Sequence, residues 1–146
     1  MNKSEKYTTS LTEIKALLSG ETDMIAKMAN TAALLHKEFD FWWTGFYRVV
    51  DNELILGPFQ GPLACMHIAK GMGVCGTAWE RKETIVAPNV HLFAGHIACS
   101  SESNSEIVVP ILRGGEVVGV LDIDSREFNT FDDIDKYYLQ QIVELL

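Results

Sequence analysis

Two strand-turn-strand patterns constrain the fold of this chain more than any other feature of its sequence. The first covers residues 43–50 and 53–59, which are rich in aromatic and branched side chains and flank a tight turn at Asp51-Asn52. The second covers residues 106–124 around Gly114-Gly115. Two such hairpins predict an antiparallel sheet with helices packed on it, an α+β architecture.

The N-terminal part of the chain predicts two helices. The first lies within residues 4–19, where Ser10 followed by Glu13 has capping-box spacing and Gly20 ends the pattern. The second runs from about residue 23 to 37 because apolar residues recur there at helical spacing. The apolar face of this second helix must pack on the sheet.

The rest of the chain predicts one closing helix and a long irregular segment. Thr130 and Asp133 have the spacing of a cap, and the apolar residues after them repeat at helical intervals. Residues 57–105 hold all three cysteines and most of the glycines, with only a short helix near 76–81 and a strand near 84–86. A segment this irregular inside a compact domain is usually functional.

Composition narrows the class of protein. The 146 residues, with 47% hydrophobic and 22% charged side chains, predict one folded domain over residues 1–146. A net charge of −8 without a stripe of Lys or Arg argues against a nucleic-acid partner. Residues 1–6 are polar, and no apolar run is long enough for a signal peptide or a bilayer span, so we expect a cytoplasmic protein that does not contact membranes.

The three cysteines, an odd number, do not suggest a framework of structural disulfides. Cys65, Cys75 and Cys99 also lack the paired spacing of common zinc sites, although His67 and His96 lie close enough in sequence for a mixed site. Each cysteine could instead be a small buried apolar residue. A redox role needs one reactive thiol, an acidic partner and a second thiol.

Three carboxylates in the second hairpin can supply the acid. Asp122 and Asp124 share one face of their strand because side chains alternate, and crowding with Glu106 would raise their pKa values. A solvated sheet face is the alternative. A regular two-residue turn at Gly114-Gly115 would pair Glu106 with Ile123 and place Glu106 on the face away from Asp122 and Asp124. For the three carboxylates to share one face, the hairpin needs a three-residue loop or a bulge, or Glu106 must lie before the regular strand pairing begins.

Aromatic residues in the first hairpin suggest one wall of a binding site. Trp43, Gly45 and Tyr47 alternate onto one face, which leaves two rings on either side of a glycine. Aromatic walls opposite carboxylates suit a ligand with an apolar end and an ammonium end. Packing in the core is the competing explanation.

Five runs in this order resemble the free methionine-R-sulfoxide reductases, a family of GAF domains: residues 57–61 (GPFQG), 71–76 (GMGVCG), 95–99 (GHIAC), 105–110 (SEIVVP) and 119–125 (GVLDIDS). The resemblance covers nearly the whole chain and implies a GAF-like fold. It also implies reduction of free L-methionine (R)-sulfoxide by thiol chemistry, without a metal or an organic cofactor.

The resemblance further implies roles for individual residues. Cys99 attacks the sulfoxide, Cys65 resolves the product, and Cys75 is a possible second resolving thiol. The residues implied in substrate binding are Trp43, Tyr47, Ile97, Ala98, Glu106, Asp122 and Asp124, with Ile97 and Ala98 contributing backbone amides. Thioredoxin or a similar dithiol would reduce the resulting disulfide, and the protein would be a homodimer. The alternative is a GAF domain that senses a small molecule without catalysis.

Overall fold

The computed structural model describes residues 1–96 and 102–146. The described residues form four α-helices, six strands and a short 3-10 helix at Val90–Leu92. The helices are α1 (Lys3–Leu18), α2 (Met24–Phe39), α3 (Gly73–Arg81) and α4 (Asp133–Val143). The strands are β1 (Trp43–Val50), β2 (Glu53–Gln60), β3 (His67–Ile68), β4 (Ile85–Ala87), β5 (Ser105–Arg113) and β6 (Glu116–Ser125).

The six strands form one sheet in the order β3-β2-β1-β6-β5-β4, and every neighbouring pair is antiparallel. The two predicted hairpins, β1-β2 and β5-β6, meet at the centre of this sheet through the β1-β6 pair. The α+β architecture predicted from the sequence is therefore confirmed.

The first hairpin turns as predicted at Asp51-Asn52. Both residues adopt left-handed backbone conformations, with φ of 49° and 62°, as a two-residue turn with the twist of a hairpin requires. Between Gly45 and Tyr47 the register with β2 shifts by one residue. Pro58, which cannot donate a backbone hydrogen bond, lies in the irregular stretch of β2.

The second hairpin combines a tight turn with a bulge. Gly114 and Gly115 have φ of 57° and 81° and form a two-residue loop, since Arg113 pairs with Glu116. The three-residue loop proposed from the sequence is thus wrong. The predicted alternative, a bulge, is present: Leu112 pairs with Val117 but Ile111 pairs with Gly119, which leaves Val118 as an extra residue in β6.

The two faces of the sheet are covered differently. Helices α1, α2 and α4 cover one face, where Phe46, Ile107 and Leu121 are fully buried beneath them. Helix α3 and the irregular connections cover the other face, where Trp43, Tyr47 and Val120 are buried. The strands are therefore apolar on both sides, as expected of a sheet enclosed between two layers.

The predicted caps of two helices are wrong. Helix α1 begins after Asn2, whose side chain accepts a hydrogen bond from the Glu5 amide at 2.8 Å, and Ser10 lies buried in its middle. At α4 the capping box is formed by Asp132 and Asp135 rather than by Thr130 and Asp133. The Thr130 hydroxyl instead donates to Ser125 Oγ at 2.6 Å.

Helix α2 agrees with the prediction, beginning after Asp23 and extending slightly further, to Phe39. In the irregular segment, the sequence predicted α3 and β4 but not the two-residue strand β3 or the 3-10 helix. No helix in the described part of the chain is long and apolar enough to cross a bilayer.

Candidate functional site

Glu106, Asp122 and Asp124 lie together on the face of the sheet that α3 covers. Glu106 pairs directly with Asp124 across β5 and β6, and Asp122 is the next residue of β6 on the same face. This convergence depends on the extra residue in β6, because a regular ladder from the Gly114-Gly115 turn would set Glu106 opposite Ile123. We call these three residues the acidic cluster.

Two of the three residues of the acidic cluster are buried, Asp124 is half-buried, and no cation from the described residues pairs with the cluster. Glu106 and Asp122 are only 7% and 5% exposed, and no ion pair among the described residues involves the cluster. Asp122 Oδ1 is buried and has no hydrogen-bond partner in the described part of the chain. Such an atom loses its hydration without compensation, which makes it a place where a ligand can donate.

Burial raises the pKa of all three carboxyl groups. The pKa values of Glu106 and Asp124 lie well above their ordinary range because of desolvation and then repulsion from Asp122. Desolvation also raises the pKa of Asp122, although hydrogen bonds from Glu106 and Cys75 oppose the shift. The cluster therefore retains protons that separate carboxylates in water would have lost.

Cys75 lies in the first turn of α3 directly against this cluster. Its buried Sγ donates to Glu106 Oε2 at 3.9 Å, and burial followed by the nearby carboxylates raises the pKa of the thiol well above 9.0. Cys75 is a free cysteine. Its ordinary state is consequently the thiol, which is a poor nucleophile.

The thiol of Cys75 and the carboxyl groups of Glu106 and Asp122 are also the described groups placed to bind a metal. Their ligand atoms lie within 4.8 Å of one another. A thiophilic divalent cation there would first have to displace the protons that the cluster retains. His67, suggested as a ligand by its spacing from Cys65, instead contacts Glu53 with Nδ1 3.0 Å from Oε1.

An aromatic wall stands beside the acidic cluster on β1 and β2. The Trp43 ring stacks against Tyr47 at 6.0 Å and against Phe59 at 5.2 Å between centroids. Gly45 makes this packing possible, because a Cβ there would lie 2.7 Å from the Trp43 ring and 2.4 Å from Phe59 Cβ. Trp43 and Tyr47 are thus both part of the core and part of the wall.

The same two aromatic residues hold the connection that carries Cys65. Trp43 Nε1 donates to the Pro62 carbonyl at 3.0 Å, and Tyr47 Oη donates to the Cys65 carbonyl at 2.8 Å. Cys65 is half-buried and disulfide-bonded. Ile97, Ala98 and Cys99, which the sequence proposes for substrate binding and attack, lie outside the described residues.

One pocket brings together the described candidates other than Cys65, which is not among its lining residues. It is lined by Trp43, Tyr47, Cys75, Glu106, Asp122 and Asp124. Residues that sequence reasoning did not propose for substrate binding also line it: Trp42, Leu63, Met72, His96 and Ser103. Ser103 Oγ donates to Asp124 Oδ1 at 3.1 Å, and burial followed by the neighbouring His91 lowers the pKa of His96.

Sequence could have indicated two of these additional residues. Trp42 precedes Trp43 and lies just outside the ladder of β1, where strand alternation no longer dictates its direction. Ser103 closely precedes Glu106 in a polar stretch next to a strand end, a common place for binding residues. Leu63 and Met72 gave no signal, because apolar residues in a loop are not distinctive.

Known proteins resemble this chain over almost its whole length. The GAF domain family model matches residues 21–146. GAF domain-containing protein A of Dictyostelium discoideum is 53% identical over 146 residues, covering 99% of this chain and 92% of the relative. The free methionine-R-sulfoxide reductase of Escherichia coli (strain K12) is 48% identical over 147 residues, covering 100% of this chain and 89% of the relative.

A solved structure is similarly close. The free methionine-R-sulfoxide reductase of Neisseria meningitidis, in complex with its substrate, superposes with a TM-score of 0.97 at 46% identity, covering 99% of this chain and 88% of that one. The sequence resemblance is therefore confirmed over nearly the full length of the chain. This chain belongs to the GAF-domain family and, within it, to the free methionine-R-sulfoxide reductases.

Proposed function

We propose that this protein reduces free L-methionine (R)-sulfoxide to L-methionine. The observation that carries the proposal is the acidic cluster beneath an aromatic wall, where no described residue supplies a cation or a hydrogen-bond partner for Asp122 Oδ1. A ligand with an ammonium group and an apolar side chain complements both features. The activity named for the relative from Escherichia coli acts on such a molecule.

In the proposed complex, the ammonium group of the substrate binds the acidic cluster and its side chain lies against Trp43 and Tyr47. The backbone amides of Ile97 and Ala98 face the sulfoxide oxygen. A sulfoxide sulfur becomes electrophilic when its oxygen is hydrogen-bonded or protonated, so the cluster, which retains protons, is the source of the acid.

Cys99 is the proposed nucleophile. Its thiolate attacks the sulfoxide sulfur, the sulfur-oxygen bond breaks, and the oxygen is transferred to Cys99 as a sulfenic acid while methionine leaves. The Cys65 thiol then displaces the oxygen as water and forms a disulfide with Cys99. An external dithiol such as thioredoxin reduces that disulfide to two thiols and becomes oxidised itself.

Two observations support Cys65 as the main resolving residue. Cys65 is disulfide-bonded, whereas Cys75 is a free cysteine. The Cys75 thiol also has a raised pKa, which slows its attack on a sulfenic acid. We therefore assign Cys75 the secondary role of a slower substitute.

Single-turnover experiments test these roles. Cys99→Ser should release no methionine, because a hydroxyl is far less nucleophilic than a thiolate. Cys65→Ser should release about one equivalent of methionine and then stall without an added small thiol. Cys75→Ser, the control, should turn over repeatedly with dithiothreitol. Equal loss of the first turnover in the Cys99 and Cys65 variants would show that the roles are assigned wrongly.

A non-catalytic sensor gives a different result in the same assay. Such a domain would bind methionine sulfoxide, detectable by calorimetry, but the wild-type protein would form no methionine with any reductant.

A further inference from the structure

Three groups that can bind a metal ion lie close together in the wall of the pocket: the thiol of Cys75 and the carboxyl groups of Glu106 and Asp122. Their ligand atoms are within 4.8 Å of one another, and Cys75 Sγ is 3.9 Å from Glu106 Oε2. A tetrahedral zinc ion, about 2.3 Å from a sulfur and about 2.1 Å from an oxygen, sets those two atoms about 3.6 Å apart. The observed spacing is close to that value. We call these three residues the Cys75 site.

The ligands of the Cys75 site project from regular elements of the fold. Cys75 lies in the first turn of α3, whereas Glu106 lies on β5 and Asp122 on β6. Helix α3 is held close to the preceding connection, because a Cβ at Gly76 would lie 2.5 Å from the Ala69 carbonyl oxygen. Side chains on helices and strands are positioned more precisely than side chains on loops. The fold therefore brings the three ligands together before an ion arrives.

The unpartnered oxygen of Asp122 is an independent reason to place a cation here. Asp122 is 5% exposed, and its Oδ1 has no hydrogen-bond partner among the described residues. Its direct neighbours on the adjacent strands are Gly45 of β1 and Val108 of β5, neither of which has a side-chain donor. A buried carboxylate is stabilised when it is paired with a cation or coordinates a metal ion.

The chemistry of the three ligands favours a thiophilic divalent ion. Thiolate is a soft ligand that suits Zn²⁺, whereas Mg²⁺ and Ca²⁺ prefer oxygen ligands. On binding, the ion replaces the proton of the Cys75 thiol and any proton that the two carboxyl groups hold, so three negative charges face two positive charges. No ion pair in the described part of the chain involves these carboxylates, so no cation of the protein occupies the position.

The Cys75 site is reached through the pocket, because all three of its residues line that cavity. An ion bound to three protein ligands keeps a fourth coordination position, which faces the cavity. We propose that Cys75, Glu106 and Asp122 bind Zn²⁺, and that the bound ion inhibits the enzyme by excluding the ammonium group of the substrate from the acidic cluster. The inhibition rests on the proposed function, but the metal site does not.

Titration with Cd²⁺, a soft substitute for Zn²⁺, tests the metal site without catalysis. The double variant Cys65→Ser/Cys99→Ser keeps one thiol, so an ultraviolet thiolate-to-cadmium absorption must come from Cys75. We expect one equivalent of Cd²⁺ to bind with this absorption. Adding Asp122→Asn should weaken binding at least about tenfold, because one charged ligand is lost. Adding Glu116→Gln, a control at a carboxyl group that is 79% exposed, should leave the affinity unchanged.

Two results of this titration would overturn the metal site. One is the absence of the thiolate absorption, and the other is an equal affinity of the Asp122→Asn and Glu116→Gln variants. Glu106→Gln provides a second ligand variant that should weaken Cd²⁺ binding in the same way as Asp122→Asn. Calorimetry should show that Zn²⁺ also binds to the double variant and that Mg²⁺ does not; equal binding of both ions would contradict coordination by the thiol.

Competition tests whether the ion and the substrate exclude each other. Free methionine sulfoxide should lower the apparent affinity of the double variant for Zn²⁺ about tenfold or more at saturation. Alanine at the same concentration is the control, because it chelates zinc in solution through the same amino and carboxylate groups but lacks the side chain that contacts the aromatic wall. Equal effects of the two amino acids would overturn the proposed inhibition.

A single-turnover assay tests the inhibition itself. Pre-reduced wild-type protein, freed of added thiols that would bind the metal, should release methionine more slowly with Zn²⁺ and recover fully with a chelator. Cys75→Ser, compared with its own rate without metal, should need at least about tenfold more Zn²⁺ for the same inhibition. Equal sensitivity of both proteins would place the inhibitory ion elsewhere and overturn the proposal. If wild-type protein without metal released no methionine, the proposed function would fail, whereas the Cd²⁺ result would stand.

Discussion

Buried carboxylates on the two sides of the sheet differ in what surrounds them. On the helical side, Asp135 is 2% exposed and fully partnered: Tyr7 Oη lies 2.5 Å from its Oδ1 and Lys3 Nζ lies 2.8 Å from its Oδ2. On the pocket side, Glu106, Asp122 and Asp124 are crowded together, and within residues 1–96 and 102–146 they have no cation and Asp122 Oδ1 has no hydrogen-bond partner.

The difference separates a structural carboxylate from a binding one. Asp135 joins α1 to α4 and completes a capping box, so its burial is compensated within the fold. Burial of the acidic cluster is compensated by shared protons and by neutral donors, Ser103 Oγ and Cys75 Sγ, a state that a cationic ligand improves. Burial alone does not identify a functional acid; the missing counterion does.

The largest effect should come from Asp122→Asn, which removes charge at the unpartnered oxygen with little change in shape. We expect kcat/KM for free methionine (R)-sulfoxide to fall about a thousandfold, because the ammonium group loses a desolvated partner. The free energy of unfolding, measured with urea, should be unchanged or higher. A destabilised but fully active variant would mean that Asp122 is structural.

The matched change on the other side, Asp135→Asn, should have the opposite result. It leaves Tyr7 without a charged acceptor and Lys3 with Asp132 alone, 3.3 Å away, so we expect the free energy of unfolding to fall by about 3 kcal/mol. Activity per folded molecule should remain at the wild-type value. A variant that keeps its stability but loses activity would remove the distinction between the two sites.

The smallest effect concerns the pH dependence of stability. Because the pKa of folded Glu106 lies above its ordinary value of 4.5, the native state holds this proton more tightly than the unfolded state. The associated stability is complete below pH 4.5 and is lost as the pH rises through the folded pKa. Glu106→Gln, which stays neutral, should therefore stabilise the ligand-free protein at pH 8 and lose this advantage near pH 5. A pH-independent difference would show that Glu106 is ionised throughout.

Local patterns in the sequence were enough to predict much of the fold and the site. Asp51-Asn52 and Gly114-Gly115 were recognisable as turns because a two-residue hairpin turn needs positive φ, which Asp, Asn and Gly adopt readily. Alternation along each strand correctly placed Trp43 on the same face as Tyr47, and Asp122 on the same face as Asp124. Each of these predictions depends on residues close together in the chain.

Features that depend on distant contacts were not predicted. The position of the extra residue, Val118, follows from how β5 and β6 pair over their whole length rather than from a local signal. Ser10 has the spacing of a cap but lies buried inside α1, which packs against both α2 and α4. The contribution of Met72 and Leu63 to the pocket likewise depends on how α3 and the 61–66 connection meet over the sheet.

The most direct test of the central claim compares free methionine (R)-sulfoxide with its N-acetyl derivative, using dithiothreitol as the reductant. Acetylation removes the ammonium charge and leaves the buried carboxyl groups without a partner, so kcat/KM should fall at least about a hundredfold. In Asp122→Asn the two substrates should differ much less. Comparable kcat/KM values for both substrates in the wild-type protein would contradict the assignment of the acidic cluster to ammonium binding.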